Sequence, residues 1–165
     1  KKIMKLIQLG GHRYKEKPIR GYSMVDDEDF DKVNVFEWHL SDSGYAVRRP
    51  RRLKKTIRLH RFILNPTDKE QIDHIDGNKL NNQKSNLRLC NNAQNMRNRD
   101  KYRVNKSGYK GVWYQKPNKK WVSSIRFNGR TIYLGIFSDK VEAAKIYNEA
   151  AIKYFGKFCR LNIIT

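Results

Sequence analysis

Cysteine is scarce in this 165-residue chain, with Cys90 and Cys159 alone. That number is too small for a four-thiolate zinc cage, and the two are not in the C-x-x-C spacing a zinc knuckle needs. Both are expected to be reduced, ordinary, partly buried residues. Long apolar runs are missing too. None approaches the roughly 20 residues of a membrane-spanning helix, and Lys1 to Gly11 lacks a signal-peptide core. The expectation is a soluble, intracellular protein without a membrane partner. Acidic side chains are few, 16 against 36 lysines and arginines, for a formal net charge of +20. So large an excess calls for a polyanion, with nucleic acid favoured over an anionic membrane.

The length suits one domain or two small ones with thin cores. Charge is unevenly spread: residues 1–95 carry 20 basic against 12 acidic side chains, and residues 96–165 carry 16 against 4. The C-terminal part is the denser polycation.

Short apolar stretches at Ile3 to Leu9, Tyr22 to Val25, Trp38 to Leu40 and Tyr45 to Val47, divided by turn residues such as Ser41 to Gly44, predict a small antiparallel sheet. The acidic group Asp26, Asp27, Glu28, Asp29 and Asp31 reads as the start of a short helix rather than a metal cluster. Arg48, Arg49, Arg51, Arg52, Lys54, Lys55 and Arg58 surround Pro50. They form either a solvated face or an arm for phosphates. Ile57 to Leu64 predicts a strand passing into a short helix stopped at Asn65-Pro66.

Next comes a segment rich in asparagine: Ile72-Asp73-His74-Ile75-Asp76-Gly77-Asn78-Lys79-Leu80-Asn81-Asn82, then Asn86-Leu87-Arg88-Leu89, then Asn91-Asn92-Ala93-Gln94-Asn95. It predicts a strand bearing Asp73 and His74, a tight Asp-Gly-Asn turn, a second strand carrying Asn86, and a helix capped at Asn91 or Asn92 with Asn95 in its first turn. Asp76, Asn78, Asn81 and Asn82 are expected to build the loop by side-chain to backbone hydrogen bonds. Neighbours on a regular strand face opposite sides, so Asp73 and His74 share a cleft only if the strand twists or ends there. Residues 96–107 carry five basic side chains and no apolar period, which predicts a linker lying on nucleic acid through residues such as Arg97 and Arg99.

Residues 57–95 resemble the HNH (ββα-metal) endonuclease family, in particular its phage and intron homing type, through the Asp-His-x-Asp-Gly-Asn-x-x-x-Asn run, Asn-Leu-Arg and the later helical Asn. The resemblance implies that Asp73 and Asn95 hold the metal, that His74 is the general base, and that Asn86 is the middle residue of the catalytic set, the one that holds the hairpin. His60 and Arg61, a His-Arg pair ahead of the motif, are further candidates for packing or for phosphate contact. His12 and His39 are expected to be structural or exposed. A carboxylate and an amide oxygen suit Mg²⁺ or Mn²⁺, and a neutral His74 makes activity fall in acid near an unperturbed pKa of about 6.5. The expected reaction leaves a 5′ phosphate and a 3′ hydroxyl.

From Ser107 the pattern predicts three strands, at Gly111 to Tyr114, Trp121 to Phe127 and Arg130 to Phe137, and a helix opened by Asp139. Asn128-Gly129 signals a two-residue hairpin. That hairpin would pair Ile125 with Ile132 and Ser123 with Leu134 on an apolar face, and Ser124 with Tyr133 and Arg126 with Thr131 on a polar one. Ala143, Tyr147, Ala150, Ala151 and Tyr154 form the helix stripe that covers the apolar face. Ser-Gly-Tyr-Lys-Gly-Val, Tyr-Leu-Gly-Ile-Phe, Glu-Ala-Ala-x-x-Tyr-Asn-x-Ala-Ala and a late Leu-Asn resemble the Apetala-two (ethylene response factor) DNA-binding domain over about residues 107–162. On that likeness Lys110, Trp113, Gln115, Ser124, Arg126, Thr131 and Tyr133 are the DNA contacts.

The expected fold class is α+β, with a nuclease domain over 1–95, a basic linker over 96–106 and a DNA-binding domain over 107–165. The function expected is a metal-dependent endonuclease acting on double-stranded DNA as a monomer, or as a dimer for double-strand breaks. It would be encoded by a phage or mobile element and act in the cytoplasm of a bacterial host. The alternatives are a non-catalytic DNA-binding regulator with a degenerate nuclease fold and an RNA-binding or RNA-cutting protein, since backbone charge does not distinguish the two nucleic acids.

Overall fold

A computed structural model of the chain describes residues 3–10, 18–53, 55–101 and 105–164. His12, Lys54 and the linker residues Tyr102 and Arg103 lie outside them. The chain is α+β and divides into two compact units, Lys1–Asn92 and Ala93–Thr165.

In the first unit, β1 (Met4–Leu9) and β2 (Gly21–Asp26) pair antiparallel. Helix α1 (Asp27–Asn34) follows at once, with Asp27, Glu28 and Asp29 in its first turn. β3 (His39–Leu40), β4 (Ala46–Arg48) and β5 (Ile57–Arg58) form a second antiparallel sheet. The single N-terminal sheet expected from the sequence is therefore two sheets, linked by an isolated bridge between Leu9 and Trp38 and by the Gly10 N–H donating to the Trp38 carbonyl at 2.7 Å. Strands this short satisfy few hydrogen bonds, and packing has to hold them. Ile7, Leu9, Val25, Val33, Trp38, Ala46, Leu59, Ile63 and Leu87 make that core. Trp38 lies at its centre, 1% exposed, its indole N–H donating to the Val33 carbonyl at 3.0 Å.

Helix α2 (Leu59–Leu64) ends at Asn65, which takes the left-handed conformation (φ 44°) just before Pro66. β6 (Gln71–His74) then pairs antiparallel with β7 (Leu87–Cys90), and a 3-10 turn (Lys84–Asn86) leads into β7. Asn86 thus ends that turn instead of lying on the second strand. Helix α3 (Asn92–Arg97) follows, and the division between the units falls within it.

The second unit is a three-stranded antiparallel sheet, β8 (Val112–Gln115), β9 (Lys120–Phe127) and β10 (Arg130–Phe137), with β9 central, packed on α4 (Lys140–Phe155). The Asp139 side chain caps α4 by accepting the Glu142 N–H at 3.0 Å. Pairing follows the expected register from Arg130↔Phe127 to Tyr133↔Ser124 and then shifts, so that Gly135 instead of Leu134 meets Ser123. The cause is a bulge. One extra residue reverses which face the rest of β10 presents, and Phe137 packs with Val112, Ala143 and Ala144 while Ile136 is exposed. Gly135 (φ 143°) permits it, since a Cβ there would lie 2.7 Å from the Phe137 ring. Ile125, Tyr147, Ala150, Ala151 and Phe155 form the main core, with Tyr154 against Phe127 at 5.2 Å.

Gly111 lets Tyr147 approach the sheet. An added Cβ would come within 2.1 Å of the Tyr147 ring and 2.7 Å of the Ser124 carbonyl. Gly129, also at positive φ, has nothing within 4 Å of that position. Gly111→Ala is therefore expected to cost well over the roughly 1 kcal/mol of backbone strain that Gly129→Ala incurs, by about 2 kcal/mol or more. Urea unfolding of the two variants measures the difference, and equal midpoints would remove the packing explanation.

Candidate active site

The strand β6 stops at His74, and the next turn reverses the chain: the Gly77 N–H donates to the His74 carbonyl at 2.9 Å, with Gly77 at φ 78°. The loop from Asp76 to Asn86 is held by side-chain amides. The Asp76 N–H donates to Asn86 Oδ1 at 3.0 Å, and Asn86 Nδ2 donates back to Asp76 Oδ1 at 2.9 Å and to the Asn81 carbonyl at 2.8 Å. Asn81 Nδ2 donates to Asp76 Oδ2 at 2.8 Å, and the Asn78 N–H to Asp76 Oδ1 at 2.7 Å. Burial by itself would raise the Asp76 carboxyl, but these donors from Asn81, Asn78 and Asn86 outweigh it and hold it below the usual carboxylate range.

Asp73 and His74 are both 6% exposed. Asp73 stands opposite Arg88 in the strand pair, and Arg88 Nε and a terminal nitrogen reach Asp73 Oδ2 at 2.8 and 2.5 Å. The His74 imidazole Nε2 lies 3.2 Å from Asn82 Oδ1. Its ring meets that of His60 edge-on at 5.1 Å, and Tyr45 lies 6.1 Å away. Burial is the largest influence on His74 and pushes its pKa below the ordinary value, outweighing the Asn82 hydrogen bond and the Asp76 and Asp73 charges. The acid limb expected near 6.5 accordingly moves lower.

His60 is buried in the same cluster, 5.3 Å from Tyr45, and burial with the nearby His74, Arg58 and Arg61 charges lowers its pKa to about 3. It acts as a neutral aromatic wall. Arg61 donates to the carbonyls of Glu70 (2.8 Å) and Thr67 (3.0 Å), and so braces the turn before β6. His39 is exposed. Asn95 lies on α3, in the second unit.

Asn82, expected as a loop builder through backbone contacts, instead carries its main hydrogen bonds to side chains: His74, and Ser23 Oγ at 2.7 Å. Its position in an Asn-Asn doublet does not distinguish it from Asn81. The partnership with Ser23 spans 59 residues and has no local signal.

The acidic residues lie at and just inside the start of α1, with carboxylate oxygens of Asp26, Glu28 and Asp29 within 4.8 Å of one another. Lys32 and Lys84 contact Asp29 at 2.8 and 3.1 Å, Lys84 also reaches Glu28 at 2.8 Å, and Asp26 accepts the Lys84 N–H at 2.8 Å. In the basic run, the Arg48 guanidinium packs over the Phe36 ring at 3.7 Å, and Arg49 Nε donates to Thr56 Oγ1 at 2.9 Å. Cys90 is a free buried thiol, raised by burial.

In the second unit, Trp113, Gln115, Ser124, Arg126, Thr131 and Tyr133 fall on one face by strand parity and register. Trp113 is 46% and Tyr133 62% exposed. Trp121 packs inward, 5.0 Å from Tyr114. Lys110 departs from the expected set: its ammonium donates to the Arg97 carbonyl at 2.7 Å and the Arg99 carbonyl at 2.5 Å, and burial lowers its pKa to about 8. Arg97 lies 5.2 Å from both the Phe127 and Phe155 rings, and Arg99 is exposed. A groove of about 830 Å³ in this unit is bordered by Arg97, Arg99, Lys101, Arg126 and Tyr147 among others.

The HNH endonuclease family profile matches residues 65–97. An uncharacterised HNH endonuclease of Acanthamoeba polyphaga mimivirus is 36% identical over 150 residues, which cover 87% of this chain and 75% of that protein. An ethylene-responsive transcription factor of Medicago truncatula is 33% identical over 88 residues, 52% of this chain and 32% of its own length. Protein 3.8 of Escherichia phage T7 is 39% identical over 59 residues, 36% of this chain and 49% of that protein. No solved structure matches.

His60 takes up a proton near pH 6.5 in the unfolded chain and only near pH 3 when folded. Its contribution to stability is therefore complete above pH 6.5 and declines between 6.5 and 3, with a slope approaching about 1.4 kcal/mol per pH unit. Chemical denaturation across pH 4 to 8 is expected to show this decline, and His60→Phe to flatten it. An unchanged slope in that variant would put the proton uptake elsewhere.

Proposed function

The chain belongs to the HNH endonuclease family, and from that premise we propose that it is a metal-dependent DNA endonuclease of the homing type that hydrolyses phosphodiester bonds in duplex DNA. The observation that carries the reading is a buried imidazole, His74, held neutral at the end of a strand beside a buried carboxylate, Asp73. A general base has to be unprotonated at working pH, and burial supplies that.

The donor set fits a hard divalent cation. Asp73 offers a buried carboxylate whose Oδ2 is bonded by Arg88, so an ion there would share or displace that guanidinium, and Asn95 offers an amide oxygen on the pattern of the motif. Asp73 and Asn95 would hold Mg²⁺ or Mn²⁺. Such an ion supplies charge neutralisation for the scissile phosphate and the departing oxygen. His74 accepts the proton of the attacking water. As the water oxygen bonds to phosphorus, the bond from phosphorus to the 3′ oxygen breaks and that oxygen takes a proton from solvent, leaving a 5′ phosphate and a 3′ hydroxyl. Asn86 acts on the loop rather than on substrate, through its reciprocal bonds with Asp76.

The second unit grips the duplex. Trp113, Gln115, Ser124, Arg126, Thr131 and Tyr133 form a sheet face with apolar and polar reach, and Arg97 and Arg99 border the basic groove beside it. The local identity with a plant transcription factor supports an Apetala-two type role for this part. It also gives the rival reading, a DNA-binding regulator that does not cut, its footing. One site per chain nicks one strand as a monomer, and a dimer or two successive nicks would break both. A viral or mobile-element origin accords with the mimivirus and phage relatives.

Incubating the protein with supercoiled DNA and with structured RNA, each with and without Mg²⁺, separates these readings. Metal-dependent nicking of the DNA is expected, and binding without nicking would favour the regulator. His74→Ala should lower the cleavage rate by about 10²- to 10⁴-fold and leave DNA binding intact; a variant that cuts as fast as the parent would sink the mechanism. If the basic surface neutralises roughly 6 to 10 phosphates, affinity should fall on the order of 10³- to 10⁵-fold between 50 and 200 mM salt. A flat salt dependence would contradict that grip.

A further inference from the structure

We infer that Asn82, itself fixed by Ser23, is a positioning residue that locks His74 in the tautomer with the proton on Nε2, leaving Nδ1 as the base. This deepens the nuclease reading and rests on it for its catalytic meaning.

The direction of every hydrogen bond in the network follows from two carbonyls that can only accept. The Asn82 amide lies 3.4 Å from the Lys79 carbonyl and 2.7 Å from Ser23 Oγ, and the atom that serves both is Nδ2. Exchanging the amide's nitrogen and oxygen would set two acceptors, Oδ1 and the Lys79 carbonyl, against each other. Ser23 Oγ lies 2.9 Å from the Leu80 carbonyl. Its single proton must go there, so its oxygen is the acceptor for Asn82 Nδ2. Asn82 Oδ1 then faces His74 Nε2 at 3.2 Å. That oxygen has no hydrogen to give. The hydrogen between them belongs to Nε2, and a neutral imidazole has only one.

The relay is rigid. Ser23 is 0% and Asn82 1% exposed, so a broken bond would strand a polar group away from water. Ser23 sits on β2, and the backbone of its neighbour Met24 brackets the loop, its N–H donating to the Leu80 carbonyl at 2.8 Å and its carbonyl accepting the Asn82 N–H at 2.8 Å. The N-terminal sheet thereby sets the orientation of an imidazole on β6. His60 and Tyr45 confine the ring by packing. When Nδ1 takes the proton of the attacking water, the Nε2–H bond to Asn82 becomes charge-assisted and strengthens as the imidazolium forms.

Long-range ¹H–¹⁵N spectra of the metal-free full chain at about pH 8 report the tautomer directly, apart from any activity. The wild type is expected to show His74 protonated on Nε2. Asn82→Leu should give mixed tautomers, a cleavage rate lower by about 10- to 100-fold, and an unchanged DNA affinity measured without metal. In that variant the Nε2–H form and the cleavage rate should fall together. Ser23→Ala, a smaller change for use if Asn82→Leu does not fold, should give a partial loss of both. A wild-type Nδ1–H signal, or a folded Asn82→Leu that cuts at the parental rate, overturns the inference. If the wild type cuts nothing but its Nε2–H signal is scrambled by Asn82→Leu, the lock stands and the nuclease reading fails.

Discussion

The reciprocal pair of hydrogen bonds between Asp76 and Asn86 closes a loop that has almost no apolar side chains of its own to hold it. A polar loop between two four-residue strands would otherwise lose its form to water, because side-chain amides compete for backbone groups in many conformations. Here Asp76, Asn78, Asn81, Asn82 and Asn86 each have a partner. Asn86 binds Asp76 at both ends of its amide, Asn81 binds Asp76, and Asn82 turns the other way to Ser23 and His74. The end of β6 is thereby fixed, and with it Asp73 and His74.

Burial is the second constraint, and its effects differ by residue type. It disfavours the charged imidazole, so His60 and His74 are kept neutral. For Asp73 the fold supplies a guanidinium from the facing strand. The fold thus sets a neutral imidazole and a paired carboxylate side by side in the chain. The same low polarity makes any unmatched group costly, which is why the network around Asn82 is so fully specified.

The second unit solves a different problem, presenting one face of a small sheet while the other is sealed by a single helix. Gly111 admits Tyr147, and the bulge before Gly135 returns Phe137 to the covered side. The free face then carries Trp113, Arg126, Thr131 and Tyr133 without sacrificing the core. Lys110 contributes in another way, by tying the end of α3 to the sheet through the Arg97 and Arg99 carbonyls.

The sequence by itself determined what depends on local chemistry. Asn65-Pro66 ended a helix, Asn128-Gly129 set a hairpin and its first four pairs, Asp139 capped a helix, and the Asp-His and asparagine spacing marked the family. Tertiary structure decided whatever required comparing distant surfaces. Splitting the N-terminal strands into two sheets, the bulge at Leu134, and the turning of Lys110 toward carbonyls each follow from which arrangement buries apolar area and pairs polar atoms at once. Asn82 shows the reason most plainly. Two adjacent asparagines are chemically identical in the sequence, and only the packing of a serine 59 residues away gives one of them an imidazole to hold.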